Sequence, residues 1–326
     1  MRHTTRTVAQ RSRIYLVAVL LSCSVAGPSG QARPREHSPQ FGIVAFDLSA
    51  SASTALLQLA VGLVRGSCTW ESLEPARGTF DWDCSDNVIV GAQRLGLRSY
   101  LTVVCTPGWA NGGRGCQSMP TDLVDWYQFV ASFVSRYAKF QTVLGVWNEP
   151  NLELNDDAAG SNYALLFVNA SNARHAVNPQ FVLAGPETSH HALQSGYFSG
   201  TMDLIQSNRA LDVQDIVSVH WYADGPPLFD YLDNAHDVVR HQDVWLSETG
   251  YRSTDPGAQA AFYGGVLNTF AMSGRPWWTH VIFYRLWDGT DCCSEAIVGA
   301  DYRPKPAFTA YSNWLLQPRA VPRPAS

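Results

Sequence analysis

The sequence is poor in lysine, in basic clusters and in long apolar stretches. Of its 23 lysine and arginine residues only two are lysine, the formal net charge is −5, and no basic stripe runs along the chain. These features argue against a nucleic-acid-binding protein. The apolar run near the N-terminus, Ile14 to Leu21, is too short to cross a membrane comfortably, so no membrane span is expected. Hydrophobic residues make up 46% of the sequence, a fraction that is typical of globular proteins and is enough for a large core.

Motifs for several chemistries are also missing. The cysteines lack zinc-ligand spacing with histidines, and Asp156-Asp157 lacks the pattern of a calcium loop. Ser195 and Ser247 stand outside the context of a nucleophile elbow. His190-His191, without further spaced ligands, is more typical of a solvated loop than of a metal site. We therefore expect neither a metal nor a cofactor.

The N-terminus has the composition of a secretory signal. Several arginines precede the apolar run, and the small-residue segments Ser24–Ala26 and Gly30–Ala32 fit a cleavage site. Leu20–Cys23 also resembles a lipoprotein cleavage box, in which case Cys23 would carry a lipid anchor. We expect a mature protein that is secreted to an extracellular or periplasmic location, or attached by lipid to the cell envelope.

The cysteine count agrees with export. Without Cys23, six cysteines remain, an even number that suits disulfide bonding in an oxidising compartment. Cys68–Cys84 and Cys105–Cys116 could each close a loop, while Cys292-Cys293 could form a vicinal bond or pair elsewhere. Spacing alone leaves the connectivity open.

Apolar strand segments alternate with helical segments eight times along the chain. The predicted strands cover Phe41–Phe46, Gly62–Gly66, Ser99–Val104, Val143–Trp147, Phe181–Gly185, Ile216–Tyr222, Val244–Ser247 and His280–Trp287. The predicted helices cover Ala55–Val61, Val88–Leu95, Leu123–Phe140, Tyr163–Ala176, Tyr197–Gln206, Leu228–Arg240, Ala258–Met272 and Pro306–Leu316. Such alternation predicts a parallel sheet in an α/β protein, and eight units predict a single closed (β/α)8 barrel, the TIM barrel.

No linker or change of composition divides the chain after about residue 40. The predicted organisation is therefore a signal plus linker over residues 1–37, one barrel domain over 38–318 and a short tail over 319–326. We expect a monomer.

Two glutamates stand where predicted strands end. The fourth strand stops at Asn148-Glu149-Pro150, because proline cannot donate to a sheet ladder, and the seventh runs into Glu248-Thr249-Gly250. Catalytic groups of this fold lie at the carboxyl ends of the strands. Two carboxylates on opposite sides of the mouth suit a retaining glycosidase, with Glu149 as general acid and base and Glu248 as nucleophile. Taken alone, Glu149 would equally suit a cap on the helix that follows.

Further segments extend this pattern. They are Arg65, Cys68–Pro75, Gly78, Phe80–Trp82 and Asp86 around the second strand, and Thr106–Ala110 after the third. Together with the two glutamate motifs they resemble glycoside hydrolase clan A, the (β/α)8 retaining glycosidases, and most closely family 39 and family 5-like (cellulase-like) proteins. The resemblance covers about residues 41–317. It implies an O-glycosyl hydrolase that cleaves a polysaccharide or oligosaccharide by double displacement without a cofactor.

The resemblance also implies roles for residues around the two glutamates. Asn148 would bind the 2-hydroxyl beside the cleaved bond, and Arg65 would hold the nucleophile. A structural salt bridge between Arg65 and Glu248 is compatible with that role.

Four further side chains would complete the site by the same resemblance. His220 and Tyr222 would line it, Trp287 would form a stacking floor for the sugar, and Trp109 would lie in the substrate cleft. For His220 and Trp287 the alternative is a place in the core. Glu187, at the end of the fifth strand, suits either a sugar contact or a helix cap.

Two other functions remain open at this point. A transglycosylase that remodels an exopolysaccharide or cell wall shares every catalytic residue, and a non-catalytic barrel would bind glycans without cleaving them. The sugar, the linkage and endo or exo action also remain open. Family 39 xylosidases carry an added β-sandwich region, and none follows the eighth predicted helix, so an open groove and endo action fit better than xylosidase specificity.

Overall fold

The structure, a computed structural model, describes residues 38–290 and 294–317. The predicted signal segment with Cys23, the Cys292-Cys293 pair and the C-terminal tail lie outside the described residues. Across the two described ranges, no helix combines the length and the apolar character that crossing a membrane requires.

Eight parallel strands close into a barrel, in which β8 returns to pair with β1. The strands are β1 (Ser38–Val44), β2 (Val61–Thr69), β3 (Arg98–Val104), β4 (Thr142–Val146), β5 (Val182–Thr188), β6 (Ile216–His220), β7 (Asp243–Thr249) and β8 (Trp278–Phe283). Their near-continuous apolar sequences suit a sheet that is covered on both faces. The predicted (β/α)8 architecture is thereby confirmed.

A helix of at least ten residues follows each strand. These helices are α1 (Ala50–Leu59), α3 (Asp83–Arg94), α5 (Leu123–Tyr137), α7 (Ser161–Val177), α9 (Tyr197–Ser207), α10 (Leu228–Val239), α11 (Pro256–Met272) and α12 (Pro306–Leu316). Short helices lie in four of the connections: α2 (Trp70–Leu73), α4 (Gly108–Asn111), α6 (Pro150–Glu153) and α8 (His191–Ser195). All four follow a strand and precede its long helix, so they belong to the face of the barrel where the strands end.

The structure shifts several predicted boundaries, among them those of the first helix and of the eighth strand. The first helix was predicted over Ala55–Val61, but it begins at Ala50, because the Ser49 side chain accepts a hydrogen bond from Ala52 N and caps it. It ends before Val61, which opens β2. The eighth strand was predicted to reach Trp287, but it ends at Phe283. Trp287 therefore lies in the loop beyond β8.

A layer of buried apolar side chains lies inside the barrel. Each strand contributes one of them: Val44, Leu63, Tyr100, Val143, Ala184, Ile216, Trp245 and Ile282. Neighbouring residues along each strand point outward and pack against the helices in a second, larger core. Because the interior layer is apolar and buried, polar side chains above it can face only the mouth of the barrel.

Two disulfide bonds fix loops near the ends of β2 and β3. Cys68–Cys84 ties the end of β2 to α3, and Cys105–Cys116 closes the loop after β3. Both pairs agree with the pairing suggested by the sequence. With sequence separations of 16 and 11 between the bonded cysteines, loop-closure entropy gives each bond a stabilisation of about 3 kcal/mol.

Candidate active site

Alternation along the strands sends a group of polar side chains into the mouth of the barrel. In β2, Arg65 lies two residues after Leu63 and shares its inward face above the apolar layer. Glu187 in β5, His220 at the end of β6 and Glu248 in β7 reach the same space. Chemistry in this fold is located at this end of the strands.

Glu248 is held by two hydrogen bonds, one to each carboxylate oxygen. Arg65 Nη1 donates to Oε2 at 2.7 Å, and the Tyr222 hydroxyl donates to Oε1 at 2.6 Å. Burial raises the pKa of the Glu248 carboxyl. The charges of His220 and Arg65 and the hydrogen bond from Tyr222 outweigh that effect and leave the pKa below its ordinary value. Glu248 is therefore a carboxylate kept ionised in a nearly closed site.

Glu149 projects from the junction between β4 and α6. Its backbone is left-handed (φ 37°, ψ 57°), and its N–H donates to the carbonyl of Glu187 at 3.0 Å. A non-glycine residue in this region costs about 1–3 kcal/mol and is typical of functional sites. Glu149 Oε1 lies 3.0 Å from His220 Nδ1, and the side chain makes no capping hydrogen bond to α6. The geometry thus does not support the alternative role of Glu149 as a helix cap.

The two glutamates face each other across His220. One oxygen of Glu149, one of Glu248 and one ring nitrogen of His220 all lie within 4.8 Å of one another. Retaining glycosidases separate their carboxyl groups by about 5–5.5 Å, whereas inverting enzymes need about 6.5–9.5 Å to admit a water. One oxygen from each glutamate and a ring nitrogen of His220 are also ligand atoms that a divalent metal ion could bind. Activity measured with and without a chelator distinguishes metal-dependent catalysis from catalysis by the two carboxyl groups alone.

Arg65 is the cation at the centre of this group. Besides Glu248, it donates through Nη2 to Glu187 Oε2 at 2.5 Å and to Asn148 Oδ1 at 2.9 Å. Burial lowers the pKa of the guanidinium, but the neighbouring Glu187 and Glu248 charges more than reverse this, so its pKa is raised. One buried cation therefore holds two buried carboxylates and an amide in fixed positions.

Glu187 has neither of the roles that the sequence suggested for it. It is completely buried, and accepts from Arg65, from the Tyr100 hydroxyl at 2.7 Å and from Thr102 Oγ1 at 3.0 Å. These partners leave it without contact to solvent, so it can neither cap an exposed helix nor reach a sugar. Glu187 supports Arg65 from below, and Arg65 in turn holds Glu248.

Gly145 leaves the space that Glu187 occupies. A Cβ atom at this position of β4 would lie 2.0 Å from Glu187 Oε1 and 2.6 Å from the Tyr100 ring. We expect Gly145→Ala to lower the free energy of unfolding by about 1–3 kcal/mol or more, since it overpacks a buried polar cluster. Chemical denaturation would measure the loss.

Gly265→Ala on α11 is the matched control, because a Cβ there meets nothing within 4 Å. We expect it to stabilise the protein by about 0.5–1 kcal/mol through helix propensity. Equal stability of Gly145→Ala and the parent protein would contradict the tight fit around Glu187.

The amide of Asn148 has a defined orientation. Its Oδ1 accepts from Arg65, and its Nδ2 donates to Glu153 Oε1 at 3.2 Å. Because the guanidinium only donates, the amide oxygen must face Arg65 and the amide nitrogen must face outward. Asn148 thus presents a hydrogen-bond donor beside Glu149, as recognition of a sugar hydroxyl would require.

A further aromatic residue near this group, which sequence reasoning missed, is Tyr284. It directly follows β8, and its ring lies edge-on to Phe46 at 6.3 Å. Its backbone N–H donates to Thr249 O at 2.7 Å, one residue after Glu248. Burial raises the pKa of its hydroxyl, Arg285 lowers it, and the charge of Glu248 raises it. Trp287 lies further along the loop, where its ring stacks on Tyr302 at 5.3 Å.

Trp109 packs into the loops after β2 and β3. Its Nε1 donates to the Glu74 carbonyl at 2.7 Å, its ring lies edge-on to Trp70 at 5.8 Å, and the Arg77 guanidinium lies 5.3 Å from its centre. These contacts hold the loop together. The place of Trp109 in the substrate cleft stays a prediction.

His190 differs from its expected solvated position. It is 7% exposed, whereas His191 is exposed. The reason is local: His190 lies two residues after the end of β5 and is covered by the loop after β6, where a Cβ on Gly225 would lie 3.1 Å from its ring. Both ring nitrogens are buried without a hydrogen-bond partner in the described part of the chain.

Known proteins resemble this chain in three-dimensional structure, not in sequence. Neither a protein-family model nor a curated protein sequence matches the chain. A family 39 glycoside hydrolase from Bacteroides cellulosilyticus WH2 superposes with a TM-score of 0.69 at 18% identity, covering 87% of this chain and 65% of that one. The GH39 enzyme from Xanthomonas axonopodis pv. citri gives 0.70 at 16% identity, covering 90% and 69%. Xylanase B from Clostridium stercorarium F9 gives 0.61 at 16% identity, covering 86% and 97%.

The chain matches different shares of the length of its structural neighbours. It spans about two thirds of the two family 39 proteins and nearly all of the xylanase. The chain therefore shares its (β/α)8 barrel with glycoside hydrolases of clan A, the group that its sequence motifs resemble.

Proposed function

We propose that the protein is a retaining β-glycoside hydrolase that cleaves O-glycosidic bonds of a polysaccharide or oligosaccharide. The observation that carries the proposal is the asymmetric carboxyl pair. Glu248 is held ionised by Arg65 and Tyr222, while Glu149, within 4.8 Å of it, has His220 as its partner. Two carboxyls at this separation with different surroundings suit the two roles of double displacement.

In the first step, Glu248 attacks the anomeric carbon from below the sugar ring. Its pKa is depressed, so it is an anion at neutral pH and is ready to act as nucleophile. Glu149 lies across the cleft and gives its proton to the leaving oxygen. The products of this step are a covalent glycosyl-enzyme and a free leaving group.

In the second step, water replaces the leaving group. Glu149, now a carboxylate, takes a proton from the water, which attacks the anomeric carbon and restores Glu248. His220 Nδ1 lies 3.0 Å from Glu149 Oε1 and orients the Glu149 carboxyl group. Asn148 directs its amide nitrogen into the cleft, where it would donate to the hydroxyl next to the anomeric carbon.

The proposal is tested by product release from β-linked glucan, xylan, mannan and galactan, with and without EDTA. Hydrolysis that EDTA leaves unchanged supports two-carboxylate catalysis, while loss of activity in EDTA would favour a metal held by Glu149, His220 and Glu248. Oligosaccharides longer than the substrate would instead identify a transglycosylase. Retention of polysaccharide without new reducing ends would identify a binding protein.

The two disulfide bonds support a location outside the cytoplasm, where such bonds form and persist. We propose that the mature protein acts after export.

The Tyr222 hydroxyl gives a test of how Glu248 is kept ionised. We expect Tyr222→Phe to raise the pKa of Glu248, because the donor to its Oε1 is lost while burial remains. The acidic limb of kcat/KM, which reports the ionisation of the nucleophile in the free enzyme, should shift to higher pH. A pH profile between about 3 and 8 measures it, and Tyr127→Phe on α5 serves as control. An unmoved limb would show that Tyr222 does not set this ionisation.

A further inference from the structure

The turn that carries Glu149 cannot hold its shape by itself. Its left-handed backbone (φ 37°, ψ 57°) is followed by only four helical residues, Pro150–Glu153. A non-glycine residue keeps such a conformation only where the surrounding structure imposes it. A single helical turn is also too short to be stable alone. Contacts from outside α6 must therefore fix the direction in which the Glu149 side chain points.

These contacts come from the end of β5. Glu149 N donates to Glu187 O at 3.0 Å. Two residues further along each segment, Asn151 and Ser189 exchange two hydrogen bonds, which we call the α6 clasp. Ser189 N donates to Asn151 Oδ1 at 3.1 Å, and Asn151 Nδ2 donates to Ser189 Oγ at 2.7 Å. The segments 149–151 and 187–189 are therefore joined at both ends.

The chemistry of the α6 clasp suits asparagine in particular. Because the backbone N–H of Ser189 only donates, the amide oxygen of Asn151 must face it, and the amide nitrogen then faces Ser189 Oγ. Ser189 is 5% exposed. An apolar side chain at position 151 would leave the buried N–H of Ser189 without its partner, which is costly. The two segments would then move apart, and Glu149 would move with them.

The end of β5 is itself a fixed support, and it also holds the nucleophile. The Glu187 side chain is completely buried and accepts from Arg65 and from Tyr100. Arg65 in turn donates to Glu248. The carbonyl of Glu187 thus anchors the acid, while its carboxylate supports the cation that holds the nucleophile. Joining α6 to β5 therefore sets Glu149 relative to Glu248.

We propose that Asn151 is a positioning residue for general acid catalysis. Its two hydrogen bonds to Ser189 hold the turn at Glu149 so that the Glu149 carboxyl group meets the leaving oxygen. This role rests on the proposed function and deepens it. Proton transfer needs a separation of about 2.6–3.2 Å between the heavy atoms, and a misplacement of about 1 Å can cost ~100-fold in rate. Asn151 acts through Glu149 and needs no contact with the substrate.

The test uses the dependence of the rate on the leaving group. Phenyl and 2,4-dinitrophenyl β-glycosides are made of the sugar unit that the polysaccharide panel identifies, and kcat/KM is measured because it reports the first step. Asn151→Leu should lower kcat/KM for the phenyl glycoside by about 10- to 100-fold. The dinitrophenyl glycoside should lose less than about 3-fold, since its leaving group departs without a proton. A loss of folded protein would lower both values equally.

A second variant and a control accompany Asn151→Leu. Ser189→Ala removes the Oγ acceptor but keeps the bond from Ser189 N, so we expect a smaller loss with the same dependence on the leaving group. Asn169→Leu on α7 is the control, because its side chain donates to Leu165 O within its own helix. It should leave kcat/KM for both glycosides unchanged.

The outcomes separate this inference from the proposed function. If the parent protein hydrolyses the glycosides but Asn151→Leu loses equally on both, or loses nothing, the inference alone is overturned. If the parent protein hydrolyses no glycoside, hydrogen exchange of the segment 149–153 is measured by mass spectrometry. Faster exchange in Asn151→Leu than in the parent protein supports the α6 clasp without the chemistry. Unchanged exchange together with absence of hydrolysis contradicts both proposals.

Discussion

Glu248→Ala is expected to lower kcat by about 10⁴-fold or more, because it removes the nucleophile that forms the covalent intermediate. The protein should still fold, since Arg65 keeps Glu187 and Asn148 as partners. Hydrolysis of whichever substrate the polysaccharide panel identifies gives the rate. The control is Glu71→Ala, an exposed glutamate on α2, which should retain full activity.

Azide distinguishes the roles of the two glutamates in this experiment. In Glu248→Ala, azide can enter the vacated space and attack an activated aryl β-glycoside directly, which gives an α-glycosyl azide. In Glu149→Ala the covalent intermediate still forms, and azide then attacks it from the opposite face to give a β-glycosyl azide. Full activity in Glu248→Ala, or a β-azide from it, would contradict its assignment as nucleophile.

Arg65→Met is expected to have the largest effect on stability. It removes the cation between Glu187 and Glu248, whose side chains are 0% and 12% exposed, and leaves two buried carboxylates facing each other. Breaking a buried pair by removal of one partner typically costs about 3–5 kcal/mol. Denaturant unfolding at neutral pH measures the loss, and activity should fall with it because Glu248 and Asn148 lose their common donor.

The pH dependence of the stability of Arg65→Met tests whether the loss comes from the two unpaired carboxylates. Protonation would remove the uncompensated negative charge, so the folded form of Arg65→Met should bind more protons than the unfolded chain, and its stability should rise as the pH falls. Arg65→Lys keeps the charge but cannot reproduce three directed hydrogen bonds, so we expect an intermediate loss. A stability of Arg65→Met equal to that of the parent protein at neutral pH would show that the three side chains are not coupled as described.

The fold and the meeting of Glu149 and Glu248 could be predicted from the sequence because both depend on local rules. Eight apolar strand segments alternate with helical segments, and a parallel arrangement of that length closes as a barrel. Once the strands were placed, Glu149 and Glu248 had to meet at their carboxyl ends. Arg65 followed from the same reasoning, since it lies on the inward face of β2 two residues after Leu63.

What could not be read from the sequence depends on contacts across the barrel. Glu187, at the end of the fifth strand, was predicted to be either a sugar contact or a helix cap, but it fills a space that Gly145 leaves open one strand away. That gap is visible in the sequence only as a glycine within a buried strand, which is a signal for close approach of another group. His190 likewise became buried through a loop that arrives from β6.

The end of the eighth strand was also not predictable from the sequence. The segment from Phe283 to Trp287 is rich in aromatic and apolar residues and contains one arginine, so the sequence pattern alone extends the strand across it. In the structure the ladder stops at Phe283, so that Tyr284 N donates to Thr249 O near the end of β7 and Trp287 lies in the loop beyond, stacked on Tyr302. Boundaries set by tertiary contacts are less predictable than the elements themselves.

The central claim is that Glu149 and Glu248 act together by double displacement. Proton NMR of a hydrolysis reaction, recorded within the first minutes after mixing, tests it most directly, because the anomer released first is seen before mutarotation mixes the two forms. A carboxyl pair within 4.8 Å predicts that a β-linked substrate releases the β-anomer first. Initial release of the α-anomer would contradict the account, because it would require an inverting enzyme with room for a water between the two carboxyl groups.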